Sequence, residues 1–172
     1  YEGTNGIQAM DLLGRKMGLK KGMVFFGLLT EIQQFIDQVK GIPELKEMAL
    51  SLEEAVACLR EVTRFLGETA LSGKVKNAFA WASPFLDVFG DVIMGWMLLW
   101  RAAISVPKLK QQVGDIREEG NPDILNQNKN AAFYDGQLKS AEFFIHNILP
   151  GTLGRMKAIK TAMPAAADTK FL

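Results

Sequence analysis

The segment "SPFLDVFGDVIMGWMLLWRAAI", residues 83–104, carries the features that decide the fold of this 172-residue chain. Ser83 and Pro84 predict the start of a helix, because serine caps a first turn and proline is tolerated at the first helical position. Apolar side chains then fall on most sides of the predicted helix. This pattern predicts the central helix of a helical bundle.

Charged residues interrupt this segment, and this argues against the alternative that it crosses a membrane. The uncharged run at 92–100 has nine residues, whereas a spanning helix needs about 20. A buried core helix is therefore preferred, with Asp87, Asp91 and Arg101 facing a polar seam or the helix ends. Attachment to a membrane surface ranks last, because peripheral helices carry a strongly basic face and this segment offers only Arg101.

Further helices are predicted on both sides of this segment, from apolar residues at spacings of three and four. In the block 4–17 the expected N-cap is Thr4, and the apolar face is formed by Ile7, Met10, Leu13 and Met17. The other blocks cover 23–40, 43–72 and the region after Asn121. One long helix is preferred for 43–72, and a break near Ser51 is the alternative, because "SLEE" resembles a capping box.

Glycine and proline separate these blocks, and no stretch has the pattern of a strand. Pro43 is expected at the start of a helix, and Pro150 at a kink or break. The blocks do not repeat with a fixed period, and the connections between them are short. The sequence therefore predicts an all-α fold, an antiparallel bundle of four or more long helices.

Composition excludes several classes of function. The chain has 20 basic and 19 acidic residues, which gives no electrostatic basis for binding nucleic acid. The single cysteine, Cys58, excludes an internal disulfide and favours a buried, inert thiol. It fits a reducing compartment, and a cytoplasmic location is expected. With one histidine, His146, no metal site is predicted, because sites need clusters of ligands.

The chain opens with "YEGTNGIQAMDLLGRKM", residues 1–17. In the structural interpretation, Gly3 and Gly6 permit a tight turn, Thr4 caps the helix and Glu2 complements the helix dipole. In the functional interpretation, the helix start offers N–H groups to a phosphate of a nucleotide cofactor. Glu2, packed against Tyr1, would act as a general base if buried, since burial raises the pKa of a carboxyl group.

The residues "YEGTNGIQ" resemble the active-site segment of the acyl-CoA dehydrogenases, FAD enzymes that form a trans double bond between the α and β carbons of an acyl-CoA thioester. In that family the segment begins the last helix of the C-terminal helical domain. Residues 1–17 as a whole resemble the bacterial subgroup with an additional helical domain after this motif, which includes enzymes of the 3-methylthiopropionyl-CoA type. The segments "AFAWASPFLDVFGDVIMGWMLLWRAA" and "AEFFIHNILP" are similar to that additional domain.

The resemblance implies a role for each matching residue. Glu2 would remove the α-proton, and its backbone N–H would polarise the thioester carbonyl. Tyr1 and Gly3 would line the substrate pocket. The cofactor-binding residues would be Thr4, Asn5 and Gly6, and the flavin of FAD would accept the β-hydride. A common variant of the motif has arginine where this chain has Ala9, so that position receives no role.

The resemblance also implies an organisation. Residues 1–18 would end the dehydrogenase domain, 23–163 would form the appended helical domain, and 164–172 a tail. The earlier domains of such an enzyme do not precede Tyr1, so the chain is expected to be an inactive C-terminal fragment of an enzyme of fatty acid metabolism. Its implied partners are the acyl-CoA substrate, an electron-transfer flavoprotein or similar acceptor, the upstream part of the same protein, and further copies in a homo-oligomer.

A second function class stays open beside the enzyme. The bundle would then be a non-enzymatic interaction or oligomerisation module, which packs against a neighbour or covers its active site. The two functions are separated by Glu2, which only the enzyme requires.

Overall fold

The computed structural model describes residues 3–114 and 122–161, and all regular elements in these ranges are helical. The helices are α1 (Asn5–Asp11), α2 (Met23–Val39), α3 (Lys46–Leu71), α4 (Val75–Phe79), α5 (Ala82–Val113), α6 (Pro122–Gln127), α7 (Lys129–Phe143) and α8 (Leu149–Thr161). The predicted all-α bundle is confirmed. The predicted tail at 164–172 lies outside the described residues.

Helix α5 is the central element of the bundle, as predicted. It extends over 32 residues and packs against α1, α3, α7 and α8. By length and composition alone α5 could also cross a membrane. Its position explains that composition, because a core helix surrounded by other helices is apolar on most sides. Its buried residues are Ala82, Phe85, Val88, Val92, Gly95, Trp96, Leu99, Ala102, Ser105, Val106 and Leu109.

Gly95 lies where α5 packs tightly against its neighbours. A β-carbon at this position would stand 3.3 Å from Cδ1 of Leu52 on α3, and 3.9 Å from side-chain atoms of Leu149 and Phe144. The first distance is tighter than ordinary van der Waals contact. Glycine therefore lets the two longest helices approach each other, and Leu52 fills the space above it.

The charged residues of α5 are placed largely as predicted. Asp91 forms an ion pair with Arg155 and accepts a hydrogen bond of 2.7 Å from the hydroxyl of Thr152, which is fully buried. Arg101 donates to a glutamine side chain of α7. Asp91 and Arg101 therefore form polar contacts between α5 and the last helices, whereas Asp87 is exposed.

The capping and proline signals inside the apolar blocks do not interrupt their helices. Helix α3 runs through Ser51 for 26 residues, so the preferred single helix is confirmed. It begins at Lys46, and Pro43 lies in the preceding turn instead of the first helical position. Pro150 does not break the helix. It follows a π-helical turn, Phe144–Ile148, where the hydrogen-bond register of the backbone already changes.

The predicted apolar face of the first helix is wrong in part. Ile7 and Met10 are 68% and 56% exposed, and the buried residues are Ala9 and Leu12. Only the C-terminal half of the predicted face, Leu13 and Met17, packs against the core. The cause is the contact with α5, since the small Ala9 lets α1 lie close to that helix.

The predicted hydroxyl cap by Thr4 is also wrong. Thr4 occupies the N-cap position in the left-handed region, with φ 98°, and within the described part of the chain its side chain does not cap the first turn. Its carbonyl oxygen instead accepts the first hydrogen bond of the helix, 2.9 Å from the N–H of Gln8. Threonine is rare in this conformation, so the backbone here is held by its surroundings.

Candidate active site

Four of the six predicted site residues lie in the described part of the chain. Gly3, Thr4, Asn5 and Gly6 form the exposed entry to α1. Tyr1 and Glu2, the expected base, lie outside the described residues. The structure thus brings together the predicted cofactor-binding residues and one of the two predicted pocket residues.

The backbone at this helix start is open to a ligand. A β-carbon added at Gly3 or at Gly6 would meet no atom within 4 Å among the described residues. A flat ring system or phosphate could therefore approach the backbone of these residues directly, which is the way in which helix starts hold cofactor phosphates. These residues therefore leave room for the flavin nucleotide that the resemblance implies.

The surface beside the helix start is apolar. Ile7 and Met10, both more than half exposed, lie within the first two turns after the motif. Four residues after Ile7, Asp11 accepts two hydrogen bonds from Arg15, 2.6 and 2.8 Å long, and this pairing lowers the pKa of the Asp11 carboxyl group. The first helical segment therefore carries exposed apolar side chains next to an ion pair.

The structure gives no support to a metal site in the part it describes. Within residues 3–114 and 122–161, histidine, cysteine, aspartate and glutamate do not gather in any group of three that could hold a metal ion. His146 lies exposed in the π-helical turn between α7 and α8.

Cys58, predicted to be a buried thiol, lies on α3 half-buried against the core. Burial raises the pKa of its thiol, and the nearby carboxylates of Glu61 and Glu54 raise it further. We expect native Cys58 to react several-fold more slowly with a disulfide reagent at pH 8 than the same residue in the urea-unfolded chain, because the thiolate is the reactive form. Equal rates, measured by absorbance of the released thiol, would contradict this placement.

The same shift has a consequence for stability. Because the folded pKa lies above the unfolded one, the contribution of the protonated thiol is complete below the unfolded pKa. It is lost as the pH rises through the folded pKa.

The family of the chain follows from comparison with known proteins. A family profile described as "Acetyl-CoA dehydrogenase C-terminal like" matches residues 28–170. The chain belongs to the acyl-CoA dehydrogenase C-terminal domain family. The matched range begins after the "YEGTNGIQ" motif, so the helical bundle supports the family independently of the residues that first suggested it.

Curated acyl-CoA dehydrogenases align with nearly the whole chain. A butyryl-CoA dehydrogenase of Syntrophomonas wolfei is 31% identical over 169 residues, which are 98% of this chain and 25% of that protein. A broad-specificity linear acyl-CoA dehydrogenase of Mycobacterium tuberculosis, FadE5, is 30% identical over 168 residues, 94% of this chain and 25% of that protein. The 3-methylmercaptopropionyl-CoA dehydrogenase of Ruegeria pomeroyi is 35% identical over 102 residues, 57% of this chain and 17% of that protein.

The chain thus spans about a quarter of the length of the first two relatives. The expectation of an acyl-CoA dehydrogenase C-terminal region, taken from the motif, is confirmed at the level of the family. The activity and substrate of a whole enzyme are properties of a longer protein.

Proposed function

We propose that this chain is the C-terminal part of an FAD-dependent acyl-CoA dehydrogenase that introduces a double bond between the α and β carbons of an acyl-CoA thioester. The observation that carries the proposal is the alignment of 98% of the chain with an enzyme named as a butyryl-CoA dehydrogenase. The motif at residues 1–8 supplies the residue types that the reaction needs.

Glu2 is the proposed base. Its carboxylate takes the proton from the α-carbon, and the charge left on the substrate moves to the thioester oxygen. The backbone N–H of Glu2 donates a hydrogen bond to that oxygen, which stabilises the developing enolate in the manner of an oxyanion hole. Both contributions come from one residue.

The remaining residues of the segment bind and position. Tyr1 and Gly3 line the pocket of the acyl-CoA, and Gly3 offers no side chain that would block its approach. Thr4, Asn5 and Gly6 hold the cofactor at the start of α1. When bound, FAD supplies the acceptor for the hydride that leaves the β-carbon.

The exposed apolar residues after the motif support a longer protein around this site. Ile7 and Met10 present large side chains to solvent in the chain alone. Burying them against the upstream part of the protein removes this surface from water and fixes the motif beside the rest of the active site. An electron-transfer flavoprotein, or a similar acceptor, is the proposed oxidant of the reduced enzyme, in the cytoplasm.

A second candidate function is an interaction or oligomerisation module. The observation that favours it is a set of large apolar side chains on the later helices, each about half exposed: Trp100, Ile104, Phe133 and Phe143. Large exposed apolar residues mark surfaces for contact with other proteins. This function is compatible with the first, since the bundle would hold subunits together in a homo-oligomeric enzyme.

The two functions are tested by an assay of the full-length protein. Native mass spectrometry should find FAD in it, and acyl-CoA with an artificial electron acceptor should yield the α,β-unsaturated product. The 172-residue chain alone should give no turnover, because the greater part of the substrate and flavin sites lies outside it. A full-length protein without flavin and without product would leave only the interaction module.

A further inference from the structure

A cavity lies away from the candidate active site. It is about 680 Å³ in volume, within the range of small-molecule pockets, about 300–1,000 Å³. It lies between the end of the first helical segment, the start of α2, the second half of α3, and α4. Its walls are mostly apolar, and its larger side chains are Leu13, Met17, Phe26, Leu66, Leu71 and Phe79. Residues 3–6 do not contribute to it. We call this cavity the α3 groove.

Two cations line the α3 groove, and neither forms an ion pair within the described part of the chain. Lys21 comes from the turn before α2, and Arg64 from α3. Glu61, which attracts Arg64, forms its ion pair with Lys160, and Glu68 supplies the acidic group of the wall. The groove therefore has an excess of positive charge at an apolar surface.

The turn that carries Lys21 has an unusual backbone. Lys20 and Lys21 have φ of 49° and 59°, and Gly22 follows with φ 84°. Two successive lysines in the left-handed region are strained, because a β-carbon crowds the backbone there. This conformation brings Lys21 to the edge of the groove. Its strain raises the free energy of the folded chain, and the packing around the turn has to offset it.

This wall also contains a buried hydroxyl group with no hydrogen-bond partner among the described residues. Oγ1 of Thr63 is inaccessible to solvent and, within the residues that the structure describes, has no hydrogen-bond partner. Thr63 lines the α3 groove next to Arg64. Because this atom is closed to solvent, it does not contact a molecule in the groove, and the charged groups available there for an anion are those of Lys21 and Arg64.

We propose that the α3 groove binds an amphipathic anion, with an alkyl chain against the apolar wall and a carboxylate or phosphate head at Lys21 and Arg64. The shape of the wall suits the chain, and the two cations suit the head. The inference goes beyond the proposed function, because its residues lie outside the motif and it holds whether or not the chain is part of a dehydrogenase.

Octanoate titrated into the ¹⁵N-labelled 172-residue chain tests the proposal. The amide signals of Gly14, Gly18 and Gly67, which line the α3 groove, should shift as octanoate is added. The shifts should level off once the site is saturated. Octanol should bind more weakly than octanoate, since it lacks the charge. Octyl phosphate identifies the head group: tighter binding than octanoate assigns a phosphate, and weaker binding a carboxylate. Replacing both Lys21 and Arg64 by glutamine should weaken octanoate about tenfold and leave octanol unchanged.

A steric block provides the matched test of location. A β-carbon at Gly67 would meet no atom within 4 Å among the described residues, so Gly67→Leu fills the groove without disturbing the helix and should abolish octanoate binding. Gly90→Leu is the control, since Gly90 is exposed on α5, has equally open space and does not line the groove. Circular dichroism confirms that both variants fold.

Three results would overturn the proposal: absence of glycine shifts, equal affinity for octanol and octanoate, or unchanged octanoate affinity in Gly67→Leu. A fourth would reassign the groove. If octanoate does not bind and Gly67→Leu alone changes the sedimentation coefficient of the chain, the groove is a contact surface between proteins.

Discussion

Replacing Glu2 by glutamine in the full-length enzyme is expected to lower the rate of acyl-CoA dehydrogenation by about 10²–10⁴-fold, the usual contribution of a general base. The amide has nearly the shape of the carboxylate but cannot accept the α-proton. The backbone N–H that polarises the thioester is retained, so substrate binding should change little. The measurement is flavin bleaching by acyl-CoA under single-turnover conditions, which separates proton removal from binding.

Glu142→Gln is the matched control for this variant. Glu142 is exposed on α7, and the same chemical change there should leave the bleaching rate as it is. Flavin content and the thermal midpoint of Glu2→Gln should equal those of the unmodified enzyme. An unchanged rate in Glu2→Gln would remove the catalytic assignment while leaving the family unaffected.

The largest effect on stability is expected for Leu52→Ala. Leu52 is fully buried on α3, and its Cδ1 lies where α3 passes Gly95 of α5. Truncation removes apolar contacts and leaves a cavity, because packed helices relax only partly around a deleted side chain. We expect a loss of about 2–5 kcal/mol in the free energy of unfolding, measured by urea denaturation of the 172-residue chain.

Leu50→Ala is the control on the same helix. Leu50 is 42% exposed, so its truncation should change the free energy of unfolding by no more than about 0.5 kcal/mol. The two variants remove the same atoms two residues apart. Similar losses from both would show that the packing of α3 against α5 differs from the structure described.

The catalytic role of Glu2 and the proposed anion site rest on different kinds of observation. The assignment of Glu2 rests on the likeness of residues 1–8 to a family motif and on relatives that cover nearly the whole chain. The anion site rests on the placement of Lys21 and Arg64 on the wall of one mostly apolar cavity. Failure of one therefore leaves the other standing, and the two sets of variants can be measured independently.

Local patterns were enough for the elements of the fold. The apolar composition of residues 83–104 predicted the core position of α5, because a helix without a polar face has to be covered by others. The 43–72 block predicted α3, since capping residues inside a strong apolar stripe do not outweigh the burial of that stripe. The motif at residues 1–8 was enough to suggest the family, because it consists of contiguous residues.

The sequence by itself thus determined the helical class, the central helix and the family. Only the tertiary structure decided that Ala9 and Leu12, not Ile7 and Met10, face the core, since apolar residues on both sides of a short helix leave its rotation to the partner it packs against. It alone placed Lys21 and Arg64 on the wall of the same cavity. Residues from two elements can share one cavity only after the helices have packed, because the spacing of residues along a chain describes one helix at a time.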